Sequence, residues 1–165
     1  MDSAGGLLAP VSQGLATLAG AVEATPLPAL VNQGFAYPLL NLLHLLGLLL
    51  LLGAIGLVDL RLVGFFPRLP REALVRALTP AGLAGLVLLA VTGPLLFAAD
   101  ARALAGNPAL VAKLALILLA LLNALLFRRL WRPGRPPSVP LRALAALSLI
   151  LWLAVAALGR WIAYV

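Results

Sequence analysis

Four apolar runs, each long enough to cross a lipid bilayer, limit the folds open to this chain. The runs cover residues 38–58, 80–99, 108–127 and 140–159. At a rise of about 1.5 Å per residue, about 20 helical residues span a hydrocarbon core of about 30 Å. The chain is 64% hydrophobic and 10% charged, which leaves too little polar surface to cover a soluble domain. The sequence therefore predicts an all-α integral membrane protein with four transmembrane helices.

Prolines and glycines mark the ends and contacts of these predicted helices. Each span begins with a proline, at Pro38, Pro80, Pro108 and Pro140. Proline suits the first helical position because its missing N–H would have no helical partner there. Thr79 and Asn107 precede two of these prolines and are expected to cap their helices, whereas Pro94 lies inside the second span and predicts a kink. Small residues are expected to bring the first two spans into close contact, at Gly53, Gly56, Gly82 and Gly85.

The placement of arginine predicts the orientation of the chain. The net charge is +7, and most arginines lie in or beside the first and third connections between spans. The second connection holds only Arg102, and residues 1–36 hold no lysine or arginine. The positive-inside rule therefore places the first and third connections in the cytoplasm and both termini outside. Because these arginines flank apolar runs, they indicate membrane topology and not nucleic-acid binding.

Residues 1–36 are predicted to form a segment separate from the transmembrane domain of residues 37–165. Within it, residues 7–23 (LLAPVSQGLATLAGAVE) are apolar but too short and interrupted for a fifth span. Gln13, Thr17 and Gly20 share one helical face, which favours a helix lying in the outer membrane interface. The alternative is a poorly ordered tail.

Two ionisable residues lie well inside the predicted spans. His44, the single histidine of the chain, is six residues from the outer end of the first span, and Lys113 is five residues from the outer end of the third. Both therefore lie about 7.5–9 Å deep, in one layer. Ionisable groups in a bilayer are costly and mark candidate functional sites. The alternatives are an interhelical hydrogen bond for His44 and an amine extended to the headgroups for Lys113.

Other residues are expected to complete a site in this layer. Asn41 and Gly47 lie one turn on either side of His44 on the same helix face, and Gly47 is expected to leave room beside the imidazole for a flat ligand. Thr92 lies at a similar depth in the second span, and Arg160 ends the fourth span on the same side of the membrane.

The composition favours haem as the ligand of this layer. One histidine, one methionine and no cysteine make a poor copper site, whereas haem needs only one or two axial ligands and an apolar cleft. His44 is the candidate metal ligand, and Lys113 is a second ligand or a propionate partner, with Arg160 and Arg102 also available to propionates. A quinone bound between His44 and Lys113 is the next candidate. A cofactor-free structural or anchor subunit, and a transporter of small solutes or metal ions, remain as alternatives of different classes.

Three stretches resemble a known group of proteins. YPLLNLLHLLGLLLLLGAIGLVDLRL (Tyr37–Leu62), VTG (Val91–Gly93) and NPALVAKLALILLALLN (Asn107–Asn123) resemble uncharacterised bacterial four-helix membrane proteins. These are similar to the copper-resistance protein D family and, distantly, to HemJ-type protoporphyrinogen oxidases. In HemJ-type enzymes a first-span histidine and a third-span lysine are tied to haem b, and the matching residues here are His44 and Lys113. The resemblance implies a haem-binding, multi-pass protein of the bacterial inner membrane. With a site on the outer side, we expect an electron-transfer or accessory subunit, joined to a partner protein or to further copies of itself, more than a stand-alone enzyme.

Overall fold

The computed structural model of the chain describes residues 3–164, and the side chains of residues 10–162 and 164. No strand is present in this part of the chain. The helices are α1 (Ser3–Glu23), α2 (Leu27–Val31), α3 (Ala36–Val63), α4 (Arg71–Ala99), α5 (Ala101–Ala105), α6 (Pro108–Leu130) and α7 (Val139–Trp161), followed by a 3-10 turn at Ile162–Tyr164.

The four predicted spans are present as α3, α4, α6 and α7. Each of these helices is long and apolar enough to cross a membrane, by length and composition. Large apolar side chains remain exposed along them, as a lipid environment requires, among them Leu42, Leu49, Leu118 and Leu153. The prediction of an all-α protein with four such helices is confirmed.

The predicted start of the second span was wrong. Helix α4 begins at Arg71 and runs without interruption through Pro80 and Pro94, so Thr79 lies inside the helix and does not cap it. The sequence REALVR, before the apolar run, contains good helix formers but too many charges to be recognised by hydropathy. Hydropathy marks the part of a helix that suits lipid, and the helix itself extends further.

The start of α6 follows the prediction. The side chain of Asn107 caps the helix, with its Oδ1 accepting a hydrogen bond from the N–H of Ala109 at 2.9 Å. Pro108 occupies the first turn, and Pro140 has the same position in α7. These two helices begin at local signals that need no tertiary contact.

The four long helices pack in the order α4, α3, α7, α6. All four contribute to one apolar cluster centred on Leu51, Ala120 and Trp152, so the row is curved into a bundle. Among the described residues, α4 and α6 barely approach each other. One side of the bundle is therefore less closely packed than the others.

The closest approach lies between α3 and α4. A Cβ atom added to Gly85 would lie 2.6 Å from the backbone oxygen of Gly47, and one added to Gly82 would lie 2.7 Å from Ile55. The expected contact through Gly82 and Gly85 is thus present. Its partners on α3 differ from those expected, because Gly53 has no atom within 4 Å of an added Cβ and Gly56 faces Leu149 of α7.

Helix α1 covers one end of the bundle, which we call the α1 end. Ala19 of α1 is buried against Ala101 and Ala105 of α5, and the carboxylate of Glu23 pairs with Arg102. The helix predicted over residues 7–23 is therefore present, while its position in a membrane interface stays a prediction. The opposite end carries the connections 64–70 and 131–138, with nine arginines in or beside them, and we call it the basic end.

Candidate functional site

His44 of α3 is bonded to α4. Its Nδ1 lies 2.8 Å from Oγ1 of Thr92, and the Thr92 hydroxyl donates to the backbone oxygen of Leu88 at 2.7 Å. Thr92 is fully buried between the two helices, whereas His44 is partly buried. The imidazole is thereby fixed by a chain of two hydrogen bonds that ends on the backbone.

This chain determines which nitrogen of His44 carries the proton. A threonine hydroxyl has one proton, and that proton is donated to the carbonyl of Leu88. Nδ1 of His44 must therefore donate to Oγ1, which leaves Nε2 with a free lone pair. Nε2 has no hydrogen bond to any residue that the structure describes. A neutral imidazole held through Nδ1 and open at Nε2 is the usual form of a metal-ligating histidine.

The glycine beside the imidazole of His44 is Gly93 and not, as the sequence predicted, Gly47. Gly47 does not leave room beside the imidazole, because it faces Gly85 at the crossing of α3 and α4. That position is taken by Gly93, where an added Cβ would lie 3.6 Å from Cε1 of His44. Gly47 leaves no space for a ligand because the backbone of α4 packs directly against it.

Lys113 of α6 reaches into the same end of the bundle. Its side chain is partly buried and lies against Gly159 of α7, where an added Cβ would be 3.1 Å from Nζ. The amine is close enough to His44 for the two groups to interact electrostatically. Gly159 was not among the predicted site residues, although it closes the fourth predicted span on the same side of the membrane as Lys113.

The remaining predicted residues lie at the edge of this site. Asn41 is exposed on α3. Arg160 is also exposed; it bonds the hydroxyl of Tyr164 and lies over its ring, with Cζ 5.0 Å from the ring centroid. Within the described part of the chain, neither Asn41 nor Arg160 forms a hydrogen bond with His44 or Lys113. Arg102 is engaged by Glu23.

The donor set suits a ligand that needs one or two nitrogen atoms. In the described residues, no group of three His, Cys, Asp or Glu side chains could hold a metal ion. The site instead offers one fixed imidazole nitrogen and one amine, in apolar surroundings. Such a set can coordinate the iron of a haem, or donate a hydrogen bond to a carbonyl from the amine and accept one from a hydroxyl at Nε2.

Sequence reasoning missed a second polar group nearer the basic end. Asp59 directly follows the first predicted span of residues 38–58, but α3 continues past it to Val63 and its side chain is buried. It contacts the buried Ser148 of α7 through a side-chain hydrogen bond. The sequence signal was the glycine at position 64, which ends α3 with a positive φ of 132°. A helix that continues to this glycine places Asp59 inside it, more than one turn from its end.

Comparison with curated proteins and with solved structures finds no match to this chain. A family model matches residues 32–165. The matched region begins after α1 and α2 and includes all four long helices, with His44, Thr92, Lys113 and Asp59. The chain therefore belongs to DUF6644, a family of unknown function.

Proposed function

We propose that this protein binds haem b through His44 and serves as an electron-transfer subunit or membrane anchor of a redox complex. The observation that carries the proposal is the His44–Thr92–Leu88 chain of hydrogen bonds. This chain requires a buried threonine on α4 and leaves Nε2 of His44 free to bind a ligand. A histidine that served only to join two helices would need no such choice of tautomer.

Each residue of the site has a defined part. Nε2 of His44 would hold the haem iron, and Thr92 would orient the ring and set its tautomer. Lys113 would act as a second ligand in its neutral form or pair with a propionate, supported by its contact with Gly159. A bound haem b would supply reversible one-electron chemistry at its iron. The loose packing between α4 and α6, which carry Thr92 and Lys113, supports the entry of a flat apolar ligand.

The orientation follows from the charges at the two ends. The protein lies in a bacterial inner membrane, with the basic end facing the cytoplasm and the α1 end, with its haem site, facing outward. Nine arginines in or beside the connections at the basic end support this orientation. One histidine per chain means that ligation by two histidines requires a second copy of the chain or a partner protein.

The test is a reduced-minus-oxidised absorption spectrum of protein purified from haem-replete cells. We expect a haem b spectrum that is lost in His44→Ala. Thr92→Val keeps the shape of the side chain but removes the hydroxyl, so haem affinity should fall about 10- to 100-fold, as for other residues that orient a metal ligand. Thr79→Val, at an exposed position on the same helix, is the matched control and should leave the spectrum unchanged.

Two outcomes would contradict the proposal. Folded wild-type protein without haem, from cells that supply it, would leave a quinone site, a cofactor-free anchor subunit or a transporter as the remaining functions. A haem spectrum that is unaffected in His44→Ala would place the cofactor elsewhere.

A further inference from the structure

We infer that Asp59, Ser148 and Asn123 form an intramembrane binding site for one small monovalent cation, H⁺ or Na⁺. The three residues come from α3, α7 and α6, and their side chains are 4%, 7% and 7% exposed. This site is separate from that of His44. Asp59 is 15 residues further along α3, which corresponds to about 22 Å.

Two buried oxygen atoms in this group lack a partner. Oδ2 of Asp59 and Oδ1 of Asn123 are fully buried and have no hydrogen bond to any described residue. The other atoms of both side chains are used: Asp59 bonds Ser148, and Nδ2 of Asn123 donates to the backbone oxygen of Leu144 at 3.0 Å. An unsatisfied polar atom in such surroundings is strongly unfavourable.

The two side chains that carry these oxygens both contact the same turn of α7. Asp59 is joined to Ser148 and Asn123 to Leu144, and these two positions are four residues, about 6 Å, apart on one helix face. A carboxylate and an amide carbonyl are acceptors only. The group that would satisfy both must be electropositive, which means a proton or a small cation held by oxygen ligands.

No cationic group of the residues that the structure describes fulfils this requirement. On α3 the guanidinium of Arg61 donates to the carbonyls of Leu69 and Pro67. The nearest charged residues on the other packed helices are exposed, at Arg76 of α4, Arg128 of α6 and Arg142 of α7. The ion pair present among the described residues joins Arg102 to Glu23, at the other end of the bundle.

Apolar layers seal the site on both sides. Toward the α1 end lies the cluster that includes Leu51, Ala120 and Trp152. Toward the basic end lies a second cluster, centred on Leu62 and Ala145. On each of the three helices the polar residue falls between a member of the first cluster and a member of the second. A charged carboxylate enclosed in this way and left without a counter-charge is strongly unfavourable, and a bound cation supplies the counter-charge.

The experiment measures how the unfolding temperature of the purified protein depends on pH and on Na⁺, with choline as the inert cation. A cation that binds the folded form better than the unfolded form raises the folded-to-unfolded ratio by up to about tenfold for each tenfold rise in its concentration. We expect the unfolding temperature to rise as the proton or the Na⁺ concentration rises. A response to pH alone identifies H⁺, and a response to Na⁺ at constant pH identifies Na⁺.

Asp59→Asn should abolish this cation dependence, because the amide has nearly the same shape but cannot take up a proton or balance the charge of Na⁺. Asp100→Asn, at an exposed aspartate beyond the end of α4, is the matched control and should keep the wild-type response. If Asp59→Asn retains the full response, the inference is overturned.

A second measurement covers the case in which Asp59→Asn does not fold. The infrared spectrum of the wild type without Na⁺ should contain the C=O band of a buried carboxylic acid if the cation is H⁺, and this band should shift in Ser148→Ala, which loses one hydrogen bond. If the cation is Na⁺, adding it should alter the carboxylate bands in the wild type. Absence of an acid band together with no response to Na⁺ overturns the inference.

Discussion

The crossing of α3 and α4 allows a sharp test of the packing, through the substitution Gly85→Ala. The added methyl group would lie 2.6 Å from the backbone oxygen of Gly47 and 2.7 Å from the backbone nitrogen of Leu51. Both neighbours are backbone atoms, so no side-chain rotation relieves the contact. The two helices must move apart.

The required movement sets the size of the effect. Ordinary contact begins near 3.4 Å, so the crossing must open by roughly 0.8 Å at its closest point. A gap of about 0.5–1 Å forfeits about a quarter to a half of the dispersion attraction of each contact that it affects. Overpacking of this kind costs about 1–3 kcal/mol, which outweighs a gain in helix propensity of at most about 1 kcal/mol from replacing glycine by alanine.

The assay compares the unfolding free energy of Gly85→Ala with that of Gly53→Ala. Gly53 also lies in a helix apolar enough to cross a membrane, but an added Cβ there has no atom within 4 Å, so this variant should be as stable as the wild type or slightly more stable. Unfolding is followed by circular dichroism in mixed micelles with increasing fraction of denaturing detergent. Equal stability of the two variants would refute the close approach of α3 and α4. Because Thr92 is two turns from Gly85 on α4, we also expect Gly85→Ala to disturb the His44–Thr92 hydrogen bond.

Two further predictions concern the ends of the helices. Asn107→Ala should lower the unfolding free energy by about 1 kcal/mol, because the N–H of Ala109 loses its acceptor, while Asn107→Asp should retain most of the stability; no difference between the two in the same unfolding assay would argue against the cap. A reporter fused after Val165 should be active outside the cytoplasm, and one inserted in residues 64–70 should be active inside; the reverse pattern would exclude the proposed orientation.

Local sequence signals were sufficient for several features. The four spans are visible as apolar runs because transfer into lipid is close to a sum over residues, which needs no knowledge of neighbours. The cap of α6 at Asn107 and the first-turn prolines of α6 and α7 depend only on backbone geometry within one turn. His44 and Lys113 could be chosen because an ionisable residue in an apolar run is conspicuous at any rotation of its helix.

The contacts of these helices were decided by the tertiary structure alone. Leucine and alanine cover every face of α3 and α6, so no amphipathic pattern tells which face meets a neighbour. The rotation of α3 turns Gly47 toward Gly85, joins His44 to Thr92 and buries Asp59 against Ser148. The sequence by itself determined which segments are long and apolar enough to cross a membrane and where along them the polar groups lie. Only the packing of the helices decided which of those groups meet. In a uniformly apolar helix, the residue number fixes how far along the axis a side chain lies, but it does not fix which neighbouring helix the side chain faces.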